Sequence, residues 1–259
     1  MFFLLVIITA AAFGCRKGNS GPGELKVDSI GMQYLIAPSN PYPVSGIPEV
    51  RAKLYFVDGA IVKRSGVRQS VWTFDVNDAV FDTLMYSKSE LIIEHHPGPL
   101  NATISNRWHI TLKNGKPVQR ISYQNNQGQY MVTDTADYYY NAKQQIEKIE
   151  SNYTVFNSRN KVIKQFYFDA NNNLSRVSTV YYVDNKLWST TVEEFVKYDN
   201  AKNPLKQLWM WDDIYYRSLS ANNFAEYSYV RWDDKNNPVE VRKQTLPLQY
   251  DASGNIIYR

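Results

Sequence analysis

A single cysteine in 259 residues, Cys15, leaves this chain without an intrachain disulfide, so a hydrophobic core has to hold any folded domain. A sustained 3.6-residue apolar period is also missing. The best helical stretch, 141–151, fits a strand equally well, which argues against helical architectures. Charge of one sign is nowhere concentrated: 29 Lys and Arg face 25 Asp and Glu, net +4, with no run of five like charges. That pattern is a mixed solvated surface and not a nucleic-acid footprint. There is no Gly-x-Ser-x-Gly, no P-loop and no zincin helix. The uncharged run at 1–15 is shorter than the ~20 residues a membrane-spanning helix needs.

What the chain has instead is aromatic residues, 14% of the total and 20 of them Tyr, within a 44% hydrophobic composition. Such a composition builds pleated sheet and excludes disorder. Two hairpins are written plainly. Val50–Val57 alternates apolar and polar residues before Asp58-Gly59 and the return at Ala60, and Arg107–Leu112 leads through Asn114-Gly115 to Val118–Tyr123.

A seven-residue pattern then recurs, starting at Tyr140, Phe156, Phe168, Tyr198, Trp232 and Tyr250. An aromatic ends one strand, Asp or Asn caps a turn, Asn, Gly or Lys tolerates a left-handed backbone, and an apolar residue opens the next strand. Residues 141–145, 157–161, 169–173, 199–203, 233–237 and 251–255 are thus expected at bends, with turns of another kind at 184–185 and within 218–223. The expected fold is all-β: an antiparallel hairpin meander forming a twisted sheet or a partly closed barrel. A non-repetitive β portion spans 24–105, ending in a loop at His95–Pro99, and a hairpin-repeat portion, continuous with it, spans 106–259.

Tyr250-Asp-Ala-Ser-Gly-Asn-Ile256 carries the pattern almost complete, and it resembles the YD repeat of Rhs-type bacterial surface and toxin-shell proteins. The resemblance covers roughly 137–259, and it implies a structural hairpin array and no particular activity. At the other end, Ala12-Phe13-Gly14-Cys15 resembles the lipobox of bacterial lipoproteins. It implies a signal peptide at 1–14, removed from the mature chain, and a lipid on Cys15. Residues 16–23, rich in Gly and polar side chains, read as a flexible tether. Together these features suggest a lipoprotein of unknown function anchored to the bacterial outer membrane, facing the periplasm or the cell surface.

Chemistry-bearing residues are few. Trp209, Trp211, Asp213 and Tyr215 would share one face if 208–216 were a strand, and rings beside a carboxylate suit a sugar: rings pack on C–H faces while acids accept from hydroxyls. The competing reading is a strand buried on both sides, its indoles in cross-strand pairs. Glu94, His96 and His109 are the nearest approach to a metal cluster, without the spacing metal sites usually show. The acidic pairs Glu193-Glu194, Asp212-Asp213 and Asp233-Asp234 are adjacent, so on strands the two members of each would point apart, and Asp233 and Asp234 belong to a turn. Asp169–Asn173 opens like a calcium loop but lacks the following Gly and the acid at the twelfth place. No catalytic residue and no cofactor is assigned. The expected role is a non-catalytic binding or scaffold module at the cell envelope, with a glycan or protein ligand; the alternative is a carbohydrate-binding or carbohydrate-processing component of polysaccharide uptake.

Overall fold

A computed structural model describes residues 26–31, 51–69, 74–96, 106–126, 128–212, 214–246, 248–254 and 256–257. Cys15, the tether, the proline-rich passage at 38–48 and Asp213 lie outside the described residues. Fourteen strands form one antiparallel sheet, each pairing with its neighbours in sequence. They are β1 (Lys26–Gly31), β2 (Arg51–Val57), β3 (Ala60–Gln69), β4 (Phe74–Tyr86), β5 (Glu90–His96), β6 (Asn106–Lys113) and β7 (Lys116–Asn126), followed by β8 (Gln129–Tyr140), β9 (Ile146–Val155), β10 (Ser158–Phe168), β11 (Leu174–Val183), β12 (Lys186–Tyr198), β13 (Phe224–Asp233) and β14 (Pro238–Thr245). A two-stranded hairpin, β15 (Gln249–Tyr250) with β16 (Ile256–Ile257), follows. The expected meander is present, and it is open: β1 and β14 end the strand order and do not pair with one another.

Local chemistry explains the tight turns. Asp58 and Gly59 have φ of 49° and 80°, Asn114 and Gly115 have 53° and 74°, and Asp184 and Asn185 have 49° and 63°. Two successive positive φ values give the turn whose twist matches the flanking strands, and Asn, Asp and Gly reach them at least cost. The pattern copies at Tyr140, Phe168, Trp232 and Tyr250 each lead into a turn. The other two differ from expectation. After β9 the turn is only Phe156-Asn157, with φ of 48° and 68°, so 158–161 is already strand. The aromatic there makes the turn instead of ending the strand. The copy at Tyr198 opens into an insert that returns to the sheet at Phe224.

One further expectation is corrected. His95 and His96 are the last residues of β5 and not the start of a loop, because Asp82 and Phe81 of β4 pair with them. Residues 74–86, within the expected β portion, form β4.

The insert decides the shape of the sheet. Leu205, Leu208, Met210, Trp211 and Ile214 are buried with Leu54, Leu91, Ile93 and Ile110 in one cluster, while Tyr216 is buried with Phe166, Val177, Phe195 and Tyr227 in a second. Trp211 hydrogen-bonds Asp82 on β4, and Tyr216 hydrogen-bonds Glu193 on β12. Those strands are eight places apart in the order, a separation of about 38 Å in a flat sheet at ~4.8 Å per strand. The chain from Trp211 to Tyr216 is folded into a turn, by the Ile214 amide on the Trp211 carbonyl, and a helical turn from Tyr215, so backbone and side chains together fall short of that span. The sheet therefore curls round the insert. The C-terminal stretch crosses from one cluster to the other, with Leu246 buried in the second and Ile256 in the first.

Candidate functional site

In an antiparallel meander every second turn falls at the same end of the sheet, so the β6–β7, β8–β9 and β10–β11 turns meet the insert there. The two longer turns share one design. Asn141 Oδ1 accepts from the Gln145 amide at 3.0 Å, and Asp169 Oδ1 accepts from the Asn171 and Asn173 amides, both at 2.8 Å. Gln144 and Asn172 take the left-handed position, with φ of 62° and 64°. The insert is closed in the same way: the Asn223 amide donates to Asp199 Oδ1 at 2.9 Å, and the Asp199 amide donates to the Asn223 carbonyl at 3.0 Å.

Side chains knit the turns together. Lys116 Nζ donates to the Gln144 carbonyl at 2.6 Å, Gln145 Nε2 donates to Asn172 Oδ1 at 3.1 Å, and Tyr140 donates its hydroxyl to the Pro117 carbonyl at 2.8 Å. The Asn222 amide of the insert donates to Asn173 Oδ1 at 2.8 Å. Between turns and insert lies an open cleft of about 420 Å³, walled by Tyr140, Phe168, Trp209 and Tyr215. Its charged lining residues are Lys116, Lys143 and Lys206. This volume is within the range of small-ligand sites, roughly 300–1,000 Å³.

The aromatic set expected at 208–216 is thus divided by the structure. The stretch is not a strand: Pro204–Gln207 is a 3-10 turn capped by Asn203, and Tyr215–Ser218 (α1) is a single helical turn. Alternation therefore does not apply. Trp211 is 2% exposed and donates its indole N–H to Asp82 Oδ2 at 2.9 Å, which removes it from the proposed face. Trp209 and Tyr215 remain half-buried and line the cleft. Their partners there are Tyr140 and Phe168, which the sequence presents only as the aromatics preceding two turns. The lysines carry no sequence signal at all; only the packing of separate turns brings them together.

The metal candidates are not assembled. Glu94 forms an ion pair with Arg107, directly across the β5–β6 pairing, while His109 Nδ1 lies 2.9 Å from Glu90. His96 Nε2 is 3.9 Å from Glu94 and 3.2 Å from the Thr83 hydroxyl, its ring stacked on Phe81. Among the described residues no three His, Cys, Asp or Glu are grouped to hold a metal. Asp233 Oδ1 accepts from the Lys235 and Asn237 amides in a capping role, and the Asn237 side-chain amide on its Oδ2, together with these backbone bonds, holds its carboxyl below the usual carboxylate range. Asp169 Oδ1 likewise caps its own turn, accepting from the Asn171 and Asn173 amides.

Two buried polar clusters were not legible from sequence. In the first, His95 Nδ1 lies 2.7 Å from Asp82 Oδ1, and the same carboxylate accepts from Trp211. His95 Nε2 is buried without a hydrogen-bond partner among the described residues. An imidazole oriented by a carboxylate has the form of a general base, but no hydroxyl or thiol is bonded to this nitrogen among the described residues. In the second, Glu193 of β12 accepts from the Tyr216 and Tyr227 hydroxyls at 3.1 and 3.0 Å, with Lys164 bonded in turn to the Tyr216 oxygen. Burial raises the Glu193 carboxyl above its usual value, opposed by the Lys164 charge and the two hydroxyls. Glu194 points outward, so the adjacent acids cannot act on one bond.

No protein-family model matches the chain, and no curated protein matches it. Among solved structures it is similar to a porin-like protein from Bacteroides vulgatus, 13% identical over 74% of this chain and 84% of that one, with a TM-score of 0.46. It is also similar to a porin-like protein from Bacteroides uniformis, 12% identical over 91% of this chain and 88% of that one, with a TM-score of 0.47. Likeness at these values has no bearing on activity.

Proposed function

We propose that the chain is a non-catalytic binding module of a bacterial envelope, held to the outer membrane by lipid on Cys15 and by the 16–23 tether, that takes a glycan in the cleft beneath the insert. The observation that carries the reading is the cleft itself: four aromatic side chains from three separate elements wall one open space of about 420 Å³, with amide and ammonium groups among them. Aromatic faces pack on the C–H faces of sugar rings, and convergent polar groups fix orientation. The N-terminal support is the lipobox-like Ala12-Phe13-Gly14-Cys15.

Binding is tested by titrating the protein with a panel of oligosaccharides while following tryptophan fluorescence and heat. A binding sugar should perturb Trp209 emission, and Phe168→Ala should weaken binding by about fivefold, as loss of one stacked ring at ~1 kcal/mol implies. If no oligosaccharide in the panel binds, the ligand-capture reading falls and a scaffold role takes its place. The anchor is tested separately: palmitate should label the full chain in bacteria, and Cys15→Ala should abolish that labelling.

A further inference from the structure

Resting on the cleft reading above, we infer that the ligand is an anionic saccharide, one whose rings carry carboxylate or sulfate groups. The argument begins with what lines the cleft. Among the described residues, Lys116, Lys143 and Lys206 supply its only charged side chains, and no Asp or Glu lines it. A site built for neutral sugar hydroxyls gains from carboxylates, because each accepts from hydroxyl donors with charge assistance. Here the side-chain acceptors among the described lining residues are weaker: the amides of Gln144, Gln145 and Asn172 and the neutral hydroxyls of Ser218, Tyr140 and Tyr215. The strong polar groups are donors.

One ammonium is held in place. Lys116 Nζ donates to the Gln144 carbonyl at 2.6 Å and lies 5.3 Å from the centre of the Tyr140 ring. A sugar ring packed on Tyr140 would therefore bring its substituents beside a fixed positive charge, and an acidic substituent would meet it directly. Lys143 and Lys206 are exposed and rise from the β8–β9 turn and the insert, so three separate elements each contribute a cation. The aromatic walls add no opposing charge. Both phenols are neutral at physiological pH, and burial raises Tyr140 and Tyr215 further above their ordinary value.

The cation type narrows the class further. Arginine forks match planar carboxylates and phosphates two bonds at a time, whereas lysine acts as a point charge with rotatable donors. With lysine alone in the lining, carboxylate and sulfate substituents are served equally. Uronate and sulfated polymers therefore share the chemistry, and experiment separates them.

The test uses the full chain and isothermal titration with four probes: an oligogalacturonate, a sulfated galactan oligosaccharide, a neutral galactan oligosaccharide of the same length, and ADP as a non-saccharide anion. The expected result is that at least one charged saccharide binds about tenfold more tightly than the neutral one. That preference should shrink in 0.5 M salt and shrink also in Lys143→Ala/Lys206→Ala, which leaves Lys116 in place and whose exposed positions should leave thermal stability unchanged. Equal or tighter binding of the neutral oligosaccharide would overturn the anionic assignment while leaving the glycan-binding reading in place. A charge preference undiminished by both the double variant and high salt would overturn it as well. Binding of ADP alone, or of none of the four, would overturn this inference, and ADP alone would replace the glycan reading with a nucleotide one.

Discussion

Asp199 and Asn223, 24 positions apart, close on each other as Asp169 and Asn173 do four positions apart: a backbone amide bonded to a carboxylate oxygen at 2.8–2.9 Å, returned by an amide-to-carbonyl bond of 2.9–3.0 Å. The insert is thus grafted into a turn whose closing geometry is kept. Asp199 also accepts from the Tyr250 hydroxyl at 2.8 Å, which ties the C-terminal hairpin to the same clasp.

Opening this clasp should free the insert without dissolving the sheet. Asp199→Ala removes the acceptor for the buried Asn223 amide and should cost about 1–3 kcal/mol in urea unfolding. Limited proteolysis of the native protein should then cut first within 200–222. Cutting elsewhere at an unchanged rate would show that the clasp does not hold the insert.

Trp211 anchors the insert to β4 through one hydrogen bond and a large buried surface. Trp211→Phe keeps most of the packing and strands part of the Asp82 carboxylate, at about 1–3 kcal/mol. Trp211→Ala should cost about 3–5 kcal/mol. Because Trp211 and His95 share the Asp82 carboxylate, Trp211→Phe and His95→Leu should be non-additive by at least ~0.5 kcal/mol in a double-mutant cycle. Simple additivity would deny the shared acceptor.

Glu193 gives a pH signature. Burial raises its folded-state pKa above the ordinary glutamate value of about 4.5. Between the unfolded and folded values the native state keeps a proton that the unfolded chain has released. Its contribution to stability therefore falls as pH rises through that window and levels off above the folded value. Glu193→Gln should raise Tm at pH 8 and flatten the decline that begins near pH 4.5, and Lys164→Met should steepen it. Parallel Tm curves for wild type and Glu193→Gln between pH 4 and 9 would refute this account.

Phe156 stands 98% exposed with φ of 48°, in a turn position that suits Asn or Gly. A bulky side chain there is strained and packs on nothing that would offset the strain. Phe156→Asn and Phe156→Gly should each stabilise the protein by about 1 kcal/mol. Destabilisation by either would show that the ring has a partner.

The meander was legible because its instructions are local. Asp58-Gly59, Asn114-Gly115 and the Asx-capped turns at 141–145, 169–173 and 233–237 each settle their own geometry within five residues, whatever the rest of the chain does. The strands between them follow from alternation. Where a local signal has two meanings, the sequence misleads. Phe156 matches the aromatic position of the pattern, yet Asn157 beside it completes a two-residue turn. The stretch 208–216 alternates well enough for a strand, but Leu208, Met210, Trp211 and Ile214 are buried between sheet walls that do not adjoin it in sequence.

The cleft and the buried clusters were decided by tertiary structure alone. Tyr140, Phe168 and Trp209 become neighbours only because alternate turns fall at one end and the sheet curls about the insert. Asp82 meets His95 through strand register and Trp211 across 129 positions, and Glu193 meets Tyr216 and Tyr227 from two other elements. The sequence by itself determined which residues turn and which extend, since backbone φ preference and side-chain capping act over a few bonds. Which side chains share a space was left to strand register and sheet curvature, which arise only when the whole core is packed.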